Sequence, residues 1–128
     1  PQDFYDELDR EFHFDIDLCA DETNHKHENY FSEKDNALEQ DWEGYTGFCN
    51  PPYGKEIKDW VRKAYYEGSK PNTTIVMLIP ARTDTIYFHK YIYHKAEIRF
   101  IKGRLKFGDS KNAAPFPSMV VIFKGPEE

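Results

Sequence analysis

Cysteine is scarce: Cys19 and Cys49 are the only two in 128 residues. Two thiols in a chain of this size do not make a disulfide framework, so a reducing compartment, the cytoplasm, is the expectation. Long apolar runs are also missing. No stretch approaches the roughly 18 residues of a membrane-spanning helix, no secretory leader pattern is visible, and no membrane partner is expected. Internal repeats, low-complexity tracts and nuclease motifs are absent as well. His25 and His27 flank Lys26 in a polar loop, and Cys19, His89 and His94 are scattered along the chain. Zinc sites need a tighter set of four ligands, so no metal is expected. Basic residues are outnumbered, 17 Lys+Arg against 23 Asp+Glu, for a formal net charge of −6. That balance argues against a nucleic-acid partner if the charge is evenly spread.

It is not evenly spread. Residues 1–43 carry 15 acids against 3 bases, whereas residues 82–111 carry 8 bases against 3 acids. Segregation of this kind gives either a basic face able to meet phosphates or two solvated surfaces of opposite sign. The 39% hydrophobic and 31% charged fractions are those of a soluble globular protein, and the length suits one domain over residues 1–128. Aromatics are plentiful at 16%. Most are expected in the core, and some are suited to stacking on a planar ligand.

Phe4, Leu8 and Phe12 recur at helical spacing, which predicts a helix over 3–11. Alternation in Phe14–Ala20 predicts a strand, followed by irregular structure with one helical turn. Tyr45–Cys49 reads as a short strand halted by Pro51 and Pro52. Ile57, Trp60, Val61, Ala64 and Tyr65 define a helix ending at Gly68. The continuous apolar run Thr73–Pro80 predicts a strand buried on both faces. A helix is predicted over 84–95, then strands over 96–101, 103–108 and 118–123, with the loop 109–117 between the last two. The order predicts an α/β fold with a mostly parallel sheet and an antiparallel C-terminal strand pair. Ligands bind such sheets at the C-terminal strand ends, where Asp17 and Asn50 both fall.

Asn50-Pro51-Pro52-Tyr53 follows an apolar strand and precedes a helix. The exocyclic amine of adenine is a poor nucleophile because its lone pair is delocalised into the ring. Two acceptors on its N–H groups favour a pyramidal nitrogen. The Asn50 side-chain oxygen and the Pro51 carbonyl are suited to that role, and the prolines hold both in advance. Tyr53 offers a flat surface for the base. Aligning such an amine with a methyl group on a sulfonium needs neither a covalent intermediate nor a metal. A base within a duplex has to be flipped out to reach the site. The plainer alternative is a loop in which Pro-Pro ends a strand and Tyr53 packs locally.

The motif resembles the catalytic Asn/Asp-Pro-Pro-aromatic motif of amino-group methyltransferases. The blocks "PQDFYDELDREFHFDIDLCADETN", "DNALEQDW", "FCNPPYG", "LIPARTDT", "FIKGRLKFG" and "APFPSMVVIF" together resemble the phage-type DNA N6-adenine methyltransferase (phage Dam) family over nearly the whole chain. The resemblance implies a compact Rossmann-like fold, S-adenosylmethionine as cofactor and double-stranded DNA as partner. It leaves a monomer or weak dimer open. It implies Asn50, Pro51, Pro52 and Tyr53 as catalytic residues. For the cofactor it implies Asp17 as anchor, with Pro1, Phe4, Cys19 and Ala20 lining the site, and Asp35 on the cofactor's adenine amine beside Ala37 and Leu38. Asn24 and Tyr30 are further cofactor candidates. The sequence departs from the general pattern in having "CADETN" where a Gly-x-Gly loop usually follows the first strand. The chain is short, so one strand–helix unit is expected to be reduced.

Arg82, Thr83 and Asp84 follow the buried strand and are expected at the substrate edge. Lys102, Arg104 and Lys106 alternate along a predicted strand, which makes either a DNA-backbone contact or an ordinary solvent face. Cys49 next to Asn50 invites a nucleophilic reading, but amino methylation needs no thiolate, and a small buried strand residue is the expectation. RNA, a protein amide, or a catalytically idle nucleic-acid-binding role are the alternatives.

Overall fold

A computed structural model describes residues 2–106 and 114–128. Helix α1 spans Gln2–Phe12 and leads into the two-residue strand β1, Ile16–Asp17. Short 3-10 turns at Glu33–Asp35 and Ala37–Glu39 interrupt the long connection to β2, Thr46–Cys49. Helix α2, Ile57–Glu67, leads to β3, Thr74–Pro80. A π-helical segment, Phe88–Ile92, precedes β4, Glu97–Phe100, and β5, Ser118–Lys124, closes the fold.

Among the described residues the strands form one mixed sheet in the order β1-β2-β3-β5-β4. β1, β2 and β3 pair in parallel, and β5 lies antiparallel to both β3 and β4. β3 therefore has neighbours on both sides and helices on both faces, and its run Ile75–Pro80 is fully buried. Its side chains alternate between two cores. Ile75, Met77 and Ile79 join Trp42, Trp60, Val61, Met119 and Val121 under α2 and the π-helical segment. Val76 and Leu78 join Tyr5, Leu8, Phe14, Phe48, Val120 and Ile122 under α1. This is the period-2 logic of a strand with no solvent face.

The expectations hold in part. The first strand shrinks to Ile16–Asp17: the Leu18 N–H still donates to the Phe48 carbonyl of β2, but beyond it the chain bonds on its other side to the loop at Asn29–Phe31, the Ala20 N–H donating to the Phe31 carbonyl. The expected antiparallel C-terminal pair is present at one end of the sheet, as β4 and β5, with the last strand, β5, lying between β3 and β4. Gly103–Lys106 is not a strand: Gly103 takes φ +78° and the chain runs irregularly to Lys106, so Lys102, Arg104 and Lys106 do not alternate along one. The remainder of that predicted strand, and Pro1, lie outside the described residues. The predicted helix at 84–95 is wound more widely over Phe88–Ile92.

Candidate active site

Parallel pairing of β2 with β3, with Cys49 opposite Met77, brings the chain leaving β2 to the C-terminal end of β3. There Asn50 and Tyr53 are half-buried, Pro51 is buried and Pro52 is exposed. The Tyr53 hydroxyl reaches the Asn50 Oδ1 at 2.7 Å and the Leu78 carbonyl oxygen at 3.2 Å. A phenol has one proton, and the shorter distance assigns it to Asn50. A carboxamide oxygen has two lone pairs, so this bond orients Asn50 and leaves one acceptor direction for a ligand. Burial raises the Tyr53 pKa, and the hydroxyl stays protonated at neutral pH. Gly54 then turns the chain into α2 with φ +118°, a conformation that L side chains rarely adopt.

Asn50, Pro51 and Pro52 form one wall of a cavity of about 630 Å³. The opposite walls come from Leu18–Asp21, Asn24, Phe31–Glu33 and Asn36–Leu38, and Glu56, Asp59 and Trp60 of the α2 region close the third side. The fold thus brings together six of the expected residues around this space besides the prolines: Cys19, Ala20, Asn24, Ala37, Leu38 and Asn50.

Other expected residues brace the cavity instead of lining it. Asp17 is buried, and its carboxylate accepts the backbone N–H groups of Cys19 at 3.2 Å and Lys26 at 2.9 Å. Burial raises its pKa against the opposing pull of those two N–H groups and the charges of Lys26 and His25. The Asp35 carboxylate accepts the Ser32 N–H at 2.7 Å and the Ser32 hydroxyl at 3.0 Å, fixing the turn whose Ser32, Glu33 and Asn36 face the cavity. Tyr30 stacks on His25 with centroids 4.2 Å apart. Phe4 packs in the α1 core.

Ser32, Glu33, Asn36, Glu56 and Asp59 were missed in the sequence. Glu56 and Asp59 carried a usable signal: they stand three apart where α2 begins, directly after the Asn-Pro-Pro-Tyr turn. Ser32 and Asn36 carried none, because only the folded loop turns them inward. Among the described residues the lining holds four acids, Asp21, Glu33, Glu56 and Asp59, and no Lys, Arg or His. Such a site disfavours phosphate-bearing cofactors and suits a cation. Burial, with Asp17 and Glu56 nearby, pushes the Cys19 thiol up to about 12. Burial pushes the Cys49 thiol up as well. Neither is a thiolate at neutral pH.

The same edge continues outward. Phe116 meets Tyr53 edge-on with centroids 5.5 Å apart, and the Arg82 guanidinium lies 5.8 Å from the Phe116 ring centre. The Ala81 N–H donates to the Pro117 carbonyl, and the Ile101 N–H donates to that of Ser118. These bonds bring Arg82–Asp84, Ile101–Lys106 and Pro115–Pro117 to the C-terminal ends of β3 and β4. Arg82, Thr83, Asp84, Lys102, Arg104 and Lys106 are all exposed. Four acids thus line the inner cavity, whereas the bases Arg82, Lys102, Arg104 and Lys106 stand exposed at the strand ends beyond it.

The sequence model of the family described as DNA N-6-adenine-methyltransferase (Dam) matches residues 1–127. The chain belongs to the Dam family. A protein named DNA N-6-adenine-methyltransferase from Haemophilus phage HP1 (strain HP1c1) is 32% identical over 117 residues, covering 87% of this chain and 67% of that protein. One of the same name from Escherichia phage T1 is 33% identical over 93 residues, covering 72% of this chain and 38% of that protein. For this Dam-family chain the α/β architecture with a mixed sheet is compatible with a methyltransferase fold. Among the described residues no helix is long and apolar enough to cross a membrane.

Proposed function

We propose that this Dam-family chain moves a methyl group from S-adenosylmethionine to the N6 amine of adenine in double-stranded DNA, on a base turned out of the helix. The observation that carries the reading is the shared wall. Asn50-Pro51-Pro52 bounds a roomy acidic cavity on one side and meets the Tyr53–Phe116–Arg82 edge on the other.

The cavity fits the cofactor. Its volume suits a ligand of that size, small apolar residues such as Ala20, Ala37 and Leu38 suit a flat adenine, and four carboxylates suit cationic groups. Leu18–Asp21 and Ser32–Leu38 would hold it, with Asp17 keeping the first of these segments in place. When bound, S-adenosylmethionine supplies a methyl group already activated on a sulfonium. The chain's own task is alignment. Asn50 Oδ1, steadied by Tyr53, accepts one N–H of the target amine, and the Pro51 carbonyl accepts the other. The exposed bases Arg82, Lys102, Arg104 and Lys106 suit contact with DNA phosphates. The Rossmann-like description of the fold belongs to this reading: the acidic end of β1 and the Asn-Pro-Pro-Tyr end of β2 lie side by side at one sheet edge.

The test is methyl transfer from labelled S-adenosylmethionine to plasmid DNA, with nucleoside mass spectrometry of the product. N6-methyladenine in DNA is the expected result. Label entering only RNA or protein, or no transfer to any acceptor, overturns the reading.

A further inference from the structure

We infer that Ile86 is an apolar wedge that enters the DNA stack beside the target adenine and holds open the space the base leaves; the inference rests on the DNA reading above. Ile86 is 84% exposed, the most exposed of the large hydrophobic side chains among the described residues. A single exposed apolar residue needs no explanation in itself. The placement and stiffness of this one do.

It follows Arg82 by four residues, and Arg82 lies over Phe116, which in turn abuts Tyr53. Ile86 directly follows Thr85, whose hydroxyl bonds back to the Arg82 carbonyl, so its backbone lies next to that edge. The turn beneath it is tied down three times. The Thr85 hydroxyl donates to the Arg82 carbonyl at 2.9 Å, the Phe88 N–H donates to the Thr85 hydroxyl at 3.3 Å, and His89 Nε2 pairs with the Thr83 carbonyl at 2.8 Å. The next two residues, Tyr87 and Phe88, are buried in the core. An aliphatic side chain raised on a rigid turn at a DNA-facing edge has the properties of a residue that parts base steps. Asp84 is exposed on the same turn and, unlike Arg82, is a poor neighbour for phosphate. A carboxylate accepts from base amines instead. The part of base flipping that Asn50 and Tyr53 do not supply, filling the vacated gap, falls to Ile86.

The experiment compares wild type and Ile86→Ala on two duplexes, one fully paired and one with an abasic site opposite the target adenine. Ile86→Ala should lower kcat/KM on the paired duplex by about 10- to 100-fold, because it has to open the stack unaided. On the duplex whose adenine is already unpaired it should match wild type within about twofold. Ile86→Leu should restore the paired-duplex rate, and affinity for S-adenosylmethionine should not change. An equal defect on both duplexes, or none on either, overturns the wedge while leaving the methyltransferase reading in place. Wild type that methylates neither duplex removes both.

Discussion

The segment from Leu18 to Asn36 and the β3–β5 pair both meet the Asn50–Tyr53 turn and are built from opposite materials. The first contains no α-helix and no strand of the sheet. Besides a few backbone bonds, its order comes from carboxylates that accept backbone N–H groups: Asp17 those of Cys19 and Lys26, Asp21 those of Thr23 and Asn24, Asp35 that of Ser32. The second runs seven residues in unbroken register, from Thr74 opposite Lys124 to Pro80 opposite Ser118, and is almost wholly apolar. Packing gives the β3–β5 pair a stiffness that does not depend on pH. The acid-tied segment is shaped by charge and hydrogen bonding, and it makes much of the wall of a cavity suited to a cation. One supplies a platform and the other a selective surface.

The sharpest way to sharpen this contrast lies where the two meet. Asn50→Ala should lower turnover by about 10²- to 10³-fold, the usual cost of removing one preorganised polar group at a reacting centre. Titration calorimetry should find S-adenosylmethionine still bound. Unchanged turnover would sink the acceptor role. Within the platform, Met77→Ala should cost about 2–5 kcal/mol in urea unfolding, because Met77 is fully buried in a well-filled core. Its effect on cofactor affinity in the surviving folded fraction should be slight.

Asp17→Ala should behave in the opposite way. It frees two N–H groups and so loosens the wall, with a loss of stability of about 1–3 kcal/mol and a clear fall in cofactor affinity. Wild-type affinity in that variant would break the contrast. A finer test uses pH. Burial raises the Asp17 pKa, so the folded state favours its protonated form. That contribution is complete below the ordinary carboxylate range and is lost as pH rises through the raised value. The stability of wild type relative to Asp17→Asn should therefore fall as pH rises from the ordinary carboxylate range through the raised value. A flat or rising difference would contradict the burial argument. The smallest effect is expected for Cys49→Ala, whose methyl transfer should stay within about threefold of wild type, since its buried thiol is not ionised at neutral pH.

Legibility in the sequence followed the same division. β3, α2 and the strand at 118–124 were readable because local periodicity and burial agree there: Ile57, Trp60, Val61 and Ala64 are all buried as their spacing required. The placement of Asn50 and Asp17 at strand ends was readable from the prolines and the alternation before them. The strand expected at 103–108 is not formed over its described part, Gly103–Lys106: alternation of Lys, Arg and Lys with Gly and Leu mimics a strand, but no strand of the sheet pairs with it, and the Leu105 carbonyl accepts from the Ala114 N–H instead. Asp35 was singled out, yet it is Ser32, Glu33 and Asn36 of its own turn that face the cavity.

The sequence by itself determined which side chains this protein offers and in what order. Residue type and order along the chain set an amide followed by two prolines and an aromatic ring, the buried central strand, and the opposed charges of its two halves. Only the tertiary structure decided which acids line a cavity and which brace it, and that β5 slips between β3 and β4. It also decided that Ile86 projects from a stiff turn beside Arg82. Those outcomes depend on contacts between residues far apart in the chain, made in competition with one another, and no local pattern of side chains encodes which contact wins.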